Sequence, residues 1–463
     1  KGAGGDPPGK QDVRRLQERT GIHPGSVAPP PLLTKGGPKP VPEAGQGTLL
    51  QKAAVLAGFV ALDKSFAAAF KAAGIQFPSA LVGMFVILGG MLTLSAANEP
   101  AAEKVYRVVR PGLDWVARWL PLFYVPSLVI LPLVVSSMTL AELGKLSGIL
   151  TVGMVLSLWV TAMAVVAIRK MTNVDVLPGA PAKAMPPFTN QELLQWSGVA
   201  SAAIVASAVP ALAPYAGIPF LVACTVLGYL YGTNLPARVK AFLHPILTTA
   251  LVANGGAAMY GFVTGVGYEG ALRAYLTKGA GIGVGAGDLL MGFLGTVILS
   301  FGFRIYEQRA LMQRHAREIL GTVVFSAAFS MFSTAAVGRL VGLAPHLTRA
   351  IVPRSVTVAL ALPIGGMLDA AAYAPITATA VVLTGLVGAN FCQRLLDLFG
   401  FKDPIVRGLS TAASAHGLGT AALAAKEPEA LPFCALAYAL IGISASVLAS
   451  IPAVQTALIA LAG

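Results

Sequence analysis

Two short stretches of the 463-residue chain carry residue types and spacings that could do chemistry. The first is Val352-Pro353-Arg354-Ser355-Val356-Thr357-Val358-Ala359-Leu360-Ala361-Leu362-Pro363, a proline-bounded apolar segment that opens with a guanidinium and two hydroxyls. Pro353 suits the start of a helix, whose N-terminal N–H groups then face whatever follows. Arg354 adds a fixed positive charge in a fork that matches a carboxylate. Arg354, Ser355 and Thr357 together would make a carboxylate site. The second stretch, Arg407 to Ala421, crowds Ser410, Thr411, Ser414, His416, Gly417, Gly419 and Thr420 into a segment of membrane length. Glycines free the backbone to unwind, and hydroxyls and imidazole line a polar path. The competing reading of both is helix–helix packing with a snorkelling arginine. Ser414 and His416 stand two apart and so on different faces of a regular helix, which argues against a catalytic dyad; an intramembrane enzyme is the third reading, and no catalytic residue is assigned.

Other features offer less. Gly281-Ile282-Gly283-Val284-Gly285-Ala286-Gly287 looks like a dinucleotide fingerprint. That motif needs a preceding strand and a βαβ unit, whereas here it opens an apolar run and reads as small residues for close packing. The chain contains no Walker A, HExxH, CxxC pair or GxSxG pattern, so no metal and no cofactor is assigned. His23, His244, His315 and His346 are isolated. Asp63, Glu269, Asp288 and Asp369 lie in or at the ends of apolar runs, where charge is costly and each is a functional candidate, with helix-end placement the favoured reading. Cys224, Cys392 and Cys434 sit inside apolar runs and read as buried thiols.

The elements that must position these residues belong to an all-α polytopic membrane protein. Apolar residues make up 56% of the chain and charged residues 11%, with a mean hydropathy of +0.73, against about 25% charged residues in soluble domains. The net charge of +13 sits in short loops rather than on a basic face, which excludes nucleic acid as a partner. Residues 1–47 read as a disordered basic Pro/Gly-rich tail without a secretory signal, and the first residue, Lys1, points to something removed upstream. From Leu49 onward, runs of membrane length alternate with polar loops. Expected spans are 51–72, 77–97, 113–135, 147–168, 194–211, 215–232, 240–263, 282–303, 318–342, 349–364, 373–396, 404–423 and 430–456, about 12–13 segments. Of these, 349–364 and 404–423 read as broken or re-entrant, equivalent elements of inverted repeats in the C-terminal half. Residues 171–193 form a Pro-rich linker between a four-span half (48–170) and a larger half (194–463). Loops after even spans carry twelve Lys and Arg, and those after odd spans up to the seventh carry three, so the even side and the tail face the inner compartment. The parity fails at Arg349 and Arg354. Trp115, Trp119 and Trp196 read as interfacial anchors.

Residues 383–421, LTGLVGANFCQRLLDLFGFKDPIVRGLSTAASAHGLGTA, resemble the C-terminal signature of the LrgB/CidB membrane proteins, and Pro353–Pro363 is similar to their Pro-bounded Ser-Val-Thr…Ala-Leu-Pro motif. The four-span half resembles the LrgA/CidA partner through Pro78-Ser79-Ala80-Leu81-Val82-Gly83-Met84 and Leu122-Phe123-Tyr124-Val125-Pro126-Ser127. The start at His244-Pro245-Ile246 departs from the family's usual Gly-Pro-Ala or Glu-Pro-Ala. A single chain fusing both halves behind a basic tail is similar to the plastid form of this family. That resemblance implies a photorespiratory transporter that exports glycolate and imports D-glycerate across the chloroplast inner envelope, its N-terminal tail in the stroma. It implies a lipid bilayer as surroundings, a homo-oligomer, and protons as candidate co-substrates. Arg354 and a helix N-terminus would hold the carboxylate, while Ser355, Thr357, Ser414, His416, Gly417, Gly419 and Thr420 would serve the hydroxyl. The alternative that the bacterial relatives suggest is a holin-like or pore-forming protein.

Overall fold

Apolar runs of membrane length fold as helices because a helix satisfies its backbone groups within its own segment, without water. The computed structural model describes residues 48–463 apart from 76, 137, 173–187, 210, 241–242 and 278–283. The tail 1–47 and most of the 171–193 linker lie outside the described residues. Among the described residues, twenty α-helices follow one another. The first half holds α1 (Leu49–Ala72), α2 (Ser79–Ala97), α3 (Glu99–Val129), α4 (Leu131–Val135) and α5 (Leu140–Thr172). Then come α6 (Asn190–Ser207), α7 (Ala213–Asn234), α8 (Ala237–Lys240), α9 (Pro245–Thr264), α10 (Gly267–Tyr275), α11 (Ala286–Met291), α12 (Leu294–Glu307), α13 (Arg309–Arg314) and α14 (Ala316–Leu340). The chain ends with α15 (Pro345–Ile351), α16 (Val358–Met367), α17 (Ala374–Leu398), α18 (Pro404–Lys426), α19 (Leu431–Ser450) and α20 (Pro452–Ala462). Sequence punctuation sets the starts: Thr189 and Glu192 form a capping box on α6, His244 caps α9 ahead of Pro245, and Asp403 caps α18 ahead of Pro404.

Among the described residues, ten helices are long and apolar enough to cross a membrane. Each of the thirteen expected spans corresponds to an element here, and the three outside the ten differ for physical reasons. The 194–211 run is α6, whose first turns carry polar Asn190, Gln191 and Glu192. The other two, 349–364 and 404–423, are hairpins.

The hairpin at α15–α16 returns to the face it came from. His346 stacks on Tyr373 with ring centroids 4.5 Å apart, and Arg349 lies 3.8 Å from Asp369. Thr377 Oγ1 donates to the Ala350 carbonyl at 2.8 Å. Its base packs with Leu146, Ile149 and Leu150, in the first turns of α5. The α18 hairpin comes from the opposite face. Asp403 pairs with Arg169, near the end of α5, at 2.9 Å. Arg407, in its first turn, pairs with Glu427, just beyond its last. Twenty residues of straight helix would separate that pair by about 30 Å, so α18 must double back. It does so at His416, whose φ of 41° and ψ of −136° are non-helical. A Cβ on Gly419 would lie only 2.7 Å from Thr411 Cγ2, a contact that eight residues of continuous helix forbid.

A hairpin followed by a long helix thus occurs twice, in opposite senses: α15–α16 then α17, and α18 then α19. The hairpin explains why loop-charge parity fails after α14. Arg349 sits at a hairpin base on the face where α14 ended, and Arg354 is buried at the tip. Trp115 and Trp119 lie on α3 beside charged Asp114 and Arg118, and with Phe123, Phe188, Tyr229 and Phe293 they form an aromatic cluster, Trp119 to Phe188 at 4.9 Å and Phe123 stacked on Phe293 at 5.0 Å. That cluster joins α3 to α7 and the α11–α12 corner and so ties the two halves together.

Hairpins entering from opposite faces have a direct test. A membrane-impermeant maleimide should label Leu340→Cys and Ala372→Cys from one side, and Lys402→Cys and Glu429→Cys from the other. Labelling Lys402 and Glu429 from opposite sides would make α18 an ordinary crossing helix.

Candidate functional site

Val352 to Thr357 form the tip of the first hairpin, where helical hydrogen bonding lapses between α15 and α16. Arg354 is only 1% exposed and is the bulkiest fully buried side chain described. Its Nε donates to Thr334 Oγ1 at 2.9 Å, on α14, and its Nη2 to Ser157 Oγ at 3.1 Å, half-way along α5. Its Nη1 is buried with no hydrogen-bond partner. No acid among the described residues lies within ion-pair distance of it. The backbone of α5 comes this close because residue 153 is glycine: a Cβ there would sit 2.6 Å from Nη2 and 2.8 Å from Cζ. Ser355 Oγ accepts from Ser330 Oγ at 2.8 Å. Thr357 occupies the N-cap of α16, but its side chain caps nothing, which leaves the first N–H groups of the helix open. The tip therefore gathers a full positive charge, an unused guanidinium nitrogen, a helix N-terminus and neutral hydroxyls. Those are the parts of a carboxylate site.

The second hairpin places its polar residues differently. His416 Nε2 meets the Val381 carbonyl at 2.9 Å, and the ring lies against Gly385, where a Cβ would approach it to 2.5 Å. A non-glycine residue held at positive φ is a strain that persists only where surroundings over-determine it, and such strain clusters at functional sites. Ser414 Oγ donates back to the Ser410 carbonyl at 2.9 Å, so its proton is used within the helix. Thr420 Oγ1 lies 3.3 Å from Cys434 Sγ, Gly417 faces the Tyr438 ring, and Gly419 makes room for Thr411 and Ala415. The hydroxyls of Thr411 and Thr384 are buried without partners. The structure thus assembles Arg354, Ser355 and Thr357 at one tip and His416, Gly417 and Gly419 around the other. No hydrogen bond or ion pair described joins the two sets.

Sequence reasoning missed Gly153, Ser157, Ser330 and Thr334. The available signal was a glycine and a serine four apart in an apolar run, which share one helix face. The candidate acids fall to structural or unpaired positions. Asp288 accepts from Thr277 N–H, Thr277 Oγ1 and Gly285 N–H at 2.8–2.9 Å, a clasp at the start of α11. Gly285 and Gly287 pack on the backbone or ring of Tyr275, in keeping with close packing, while 281–283 lie outside the described residues. Glu269 pairs with Arg273 on the surface and Asp369 faces Arg349. Asp63 is buried against Gly295, between α1 and α12.

Arg407 is a clamp rather than a ligand. It bridges Glu427, Asp397 at 2.8 Å and the Phe401 carbonyl at 2.8 Å, closing the base of the second hairpin. Arg407→Ala would leave Glu427 half-buried and unpaired, so it should destabilise the protein by roughly 2–3 kcal/mol, read as a lower melting temperature in detergent. Arg273→Ala, which breaks only a surface pair, should leave the melting temperature unchanged. Equal shifts for the two would show that the clamp holds nothing.

Residues 225–454 match the LrgB-like family. The chain is 47% identical over 412 residues to plastidal glycolate/glycerate translocator 1, chloroplastic, of Arabidopsis thaliana, an alignment that covers 87% of this chain and 79% of the relative. It is 31% identical over 156 residues to an uncharacterized protein of Haemophilus influenzae, covering 34% of this chain and 67% of that one. No solved structure matches the chain. A polar, hairpin-built interior inside an all-α membrane protein, together with identity of this extent, leads to one conclusion: the chain belongs to the LrgB-like family.

Proposed function

We propose that the protein is a translocator of small 2-hydroxy monocarboxylates, moving glycolate out and D-glycerate in across the plastid inner envelope. The observation that carries this reading is Arg354, a guanidinium sealed in the middle of a membrane protein with no carboxylate beside it. Placing a charge at that depth costs on the order of 3 kcal/mol on insertion scales. Its two hydroxyl partners are neutral, so its charge stays available to an anion. The similarity to a protein named for glycolate and glycerate identifies the anion class, and both solutes pair one carboxylate with one hydroxyl. In this reading Arg354 and the N-terminus of α16 take the carboxylate, and Ser355, Thr357 and the His416 tip offer hydrogen bonds to the hydroxyl. Residues 194–463 form the transport half and 48–170 its LrgA-like partner. A fixed buried charge supports saturable, selective transport over an unselective pore.

Arg354→Ala should reduce counterflow of labelled glycolate into glycerate-loaded liposomes at least ~100-fold, while Arg354→Lys, which keeps the charge and loses the fork, should retain roughly a tenth of the flux. The Ala variant should still insert and fold, because it removes an unpaired buried charge. Near-normal flux in Arg354→Ala would take the carboxylate site away from this tip, and unsaturable leakage by the native protein would favour the pore.

The charge bias of the loops supports a stromal position for the N-terminal tail. Protease added outside intact plastids whose outer envelope is opened should leave the tail uncut. Cleavage there would reverse the orientation.

A further inference from the structure

Arg354 belongs to the C-terminal half, yet half of its cradle comes from α5, the last helix of the N-terminal half. Gly153 lets the guanidinium lie against the α5 backbone, and Ser157, one turn on, takes its Nη2. Other buried or half-buried arginines in the protein lean on acids: Arg169 on Asp403, Arg304 on Asp114, Arg407 on Asp397 and Glu427. Arg354 alone among these is oriented by hydroxyls only, Ser157 on α5 and Thr334 on α14. A hydroxyl fixes direction without cancelling charge, whereas a carboxylate at either place would neutralise the guanidinium and close it to a solute.

We infer that α5 forms one wall of the substrate site, with Gly153 and Ser157 as positioning residues that hold Arg354 in place and keep its charge free. This rests on the reading of Arg354 as the carboxylate ligand. The N-terminal half is then part of the binding site, and substrate selectivity is set jointly by both halves.

The test uses the full-length protein in liposomes and compares two nearly isosteric changes, Ser157→Asp and Ser157→Asn. Asp would pair with Arg354 internally, so glycolate flux should fall at least ~100-fold. Asn keeps a neutral partner and should raise the half-saturation concentration by no more than roughly tenfold. Ser157→Asp should also melt at or above the temperature of the native protein, because it supplies a counter-charge to a buried cation; a merely damaged helix would melt lower. Gly153→Ala should raise the half-saturation concentration about tenfold with the amount of inserted protein unchanged, and it decides the matter if Ser157→Asp fails to insert. Equal transport by the Asp and Asn variants, or an unchanged half-saturation concentration in Gly153→Ala, overturns the role of α5. Arg354→Ala separates the two ideas. If it transports normally, the carboxylate site itself is wrong; if it is inactive while Asp and Asn behave alike, only the role of α5 is.

Discussion

An unpaired guanidinium in the middle of an apolar protein is the constraint on which the rest of this structure depends. Arg354 cannot face lipid, and at 1% exposure it does not. The break in the polypeptide at the hairpin tip gives the side chain room that a continuous helix lacks, and it leaves the first N–H groups of α16 open to an anion beside the cation. Burying the cation also requires neighbours that are polar but neutral. Ser157, Thr334, Ser330 and Ser355 meet that need, and Gly153 supplies the room. Hydrogen bonds to a charged group contribute about 1.5–3 kcal/mol each, so two of them offset much of the burial penalty without removing the charge.

The second hairpin solves a related problem by a different route. Its tip carries an imidazole instead of a permanent charge, and the reversal is made by one strained residue rather than by an open loop. His416 is held there from outside, through the Val381 carbonyl and the missing side chain at Gly385. Close approach recurs at the base, where Gly408 sits against the Ala430 carbonyl and Phe433. Small residues allow the two arms to pack tightly against α17 and α19, as is usual where lipid offers no hydrophobic drive between helices.

Much of this was legible in the sequence, for definite reasons. Span lengths and the scarcity of charge gave the membrane class, and Pro353 and the Gly–Ser–His cluster marked both places where helices break, while Pro363 lies inside α16. Arg354 stood out because an arginine ahead of an apolar run needs a reason. The re-entrant reading of 404–423 was legible too, but not the point at which it turns. Residues 404–426 keep helical composition through His416, and the turn is located by the backbone angles of His416 and by contacts twenty residues apart, such as Arg407 with Glu427. Ser157 was hidden for a similar reason. It lies 197 residues from Arg354 within an apolar helix, and nothing local in 140–172 hints at its partner.

The bases of the two hairpins are fastened by different forces. On the face of α18, Arg407 ties two carboxylates and Arg169 ties Asp403. On the other face, the fastening is an aromatic stack, an apolar cluster and one long, exposed pair between Arg349 and Asp369. Dissolved ions weaken exposed charge pairs and reach shielded ones far less. With Arg407 and Glu427 only 10% and 20% exposed, the α18 base is shut by charge that the surrounding salt barely screens, whereas ionic strength on the opposite side touches the other base only through Arg349 and Asp369.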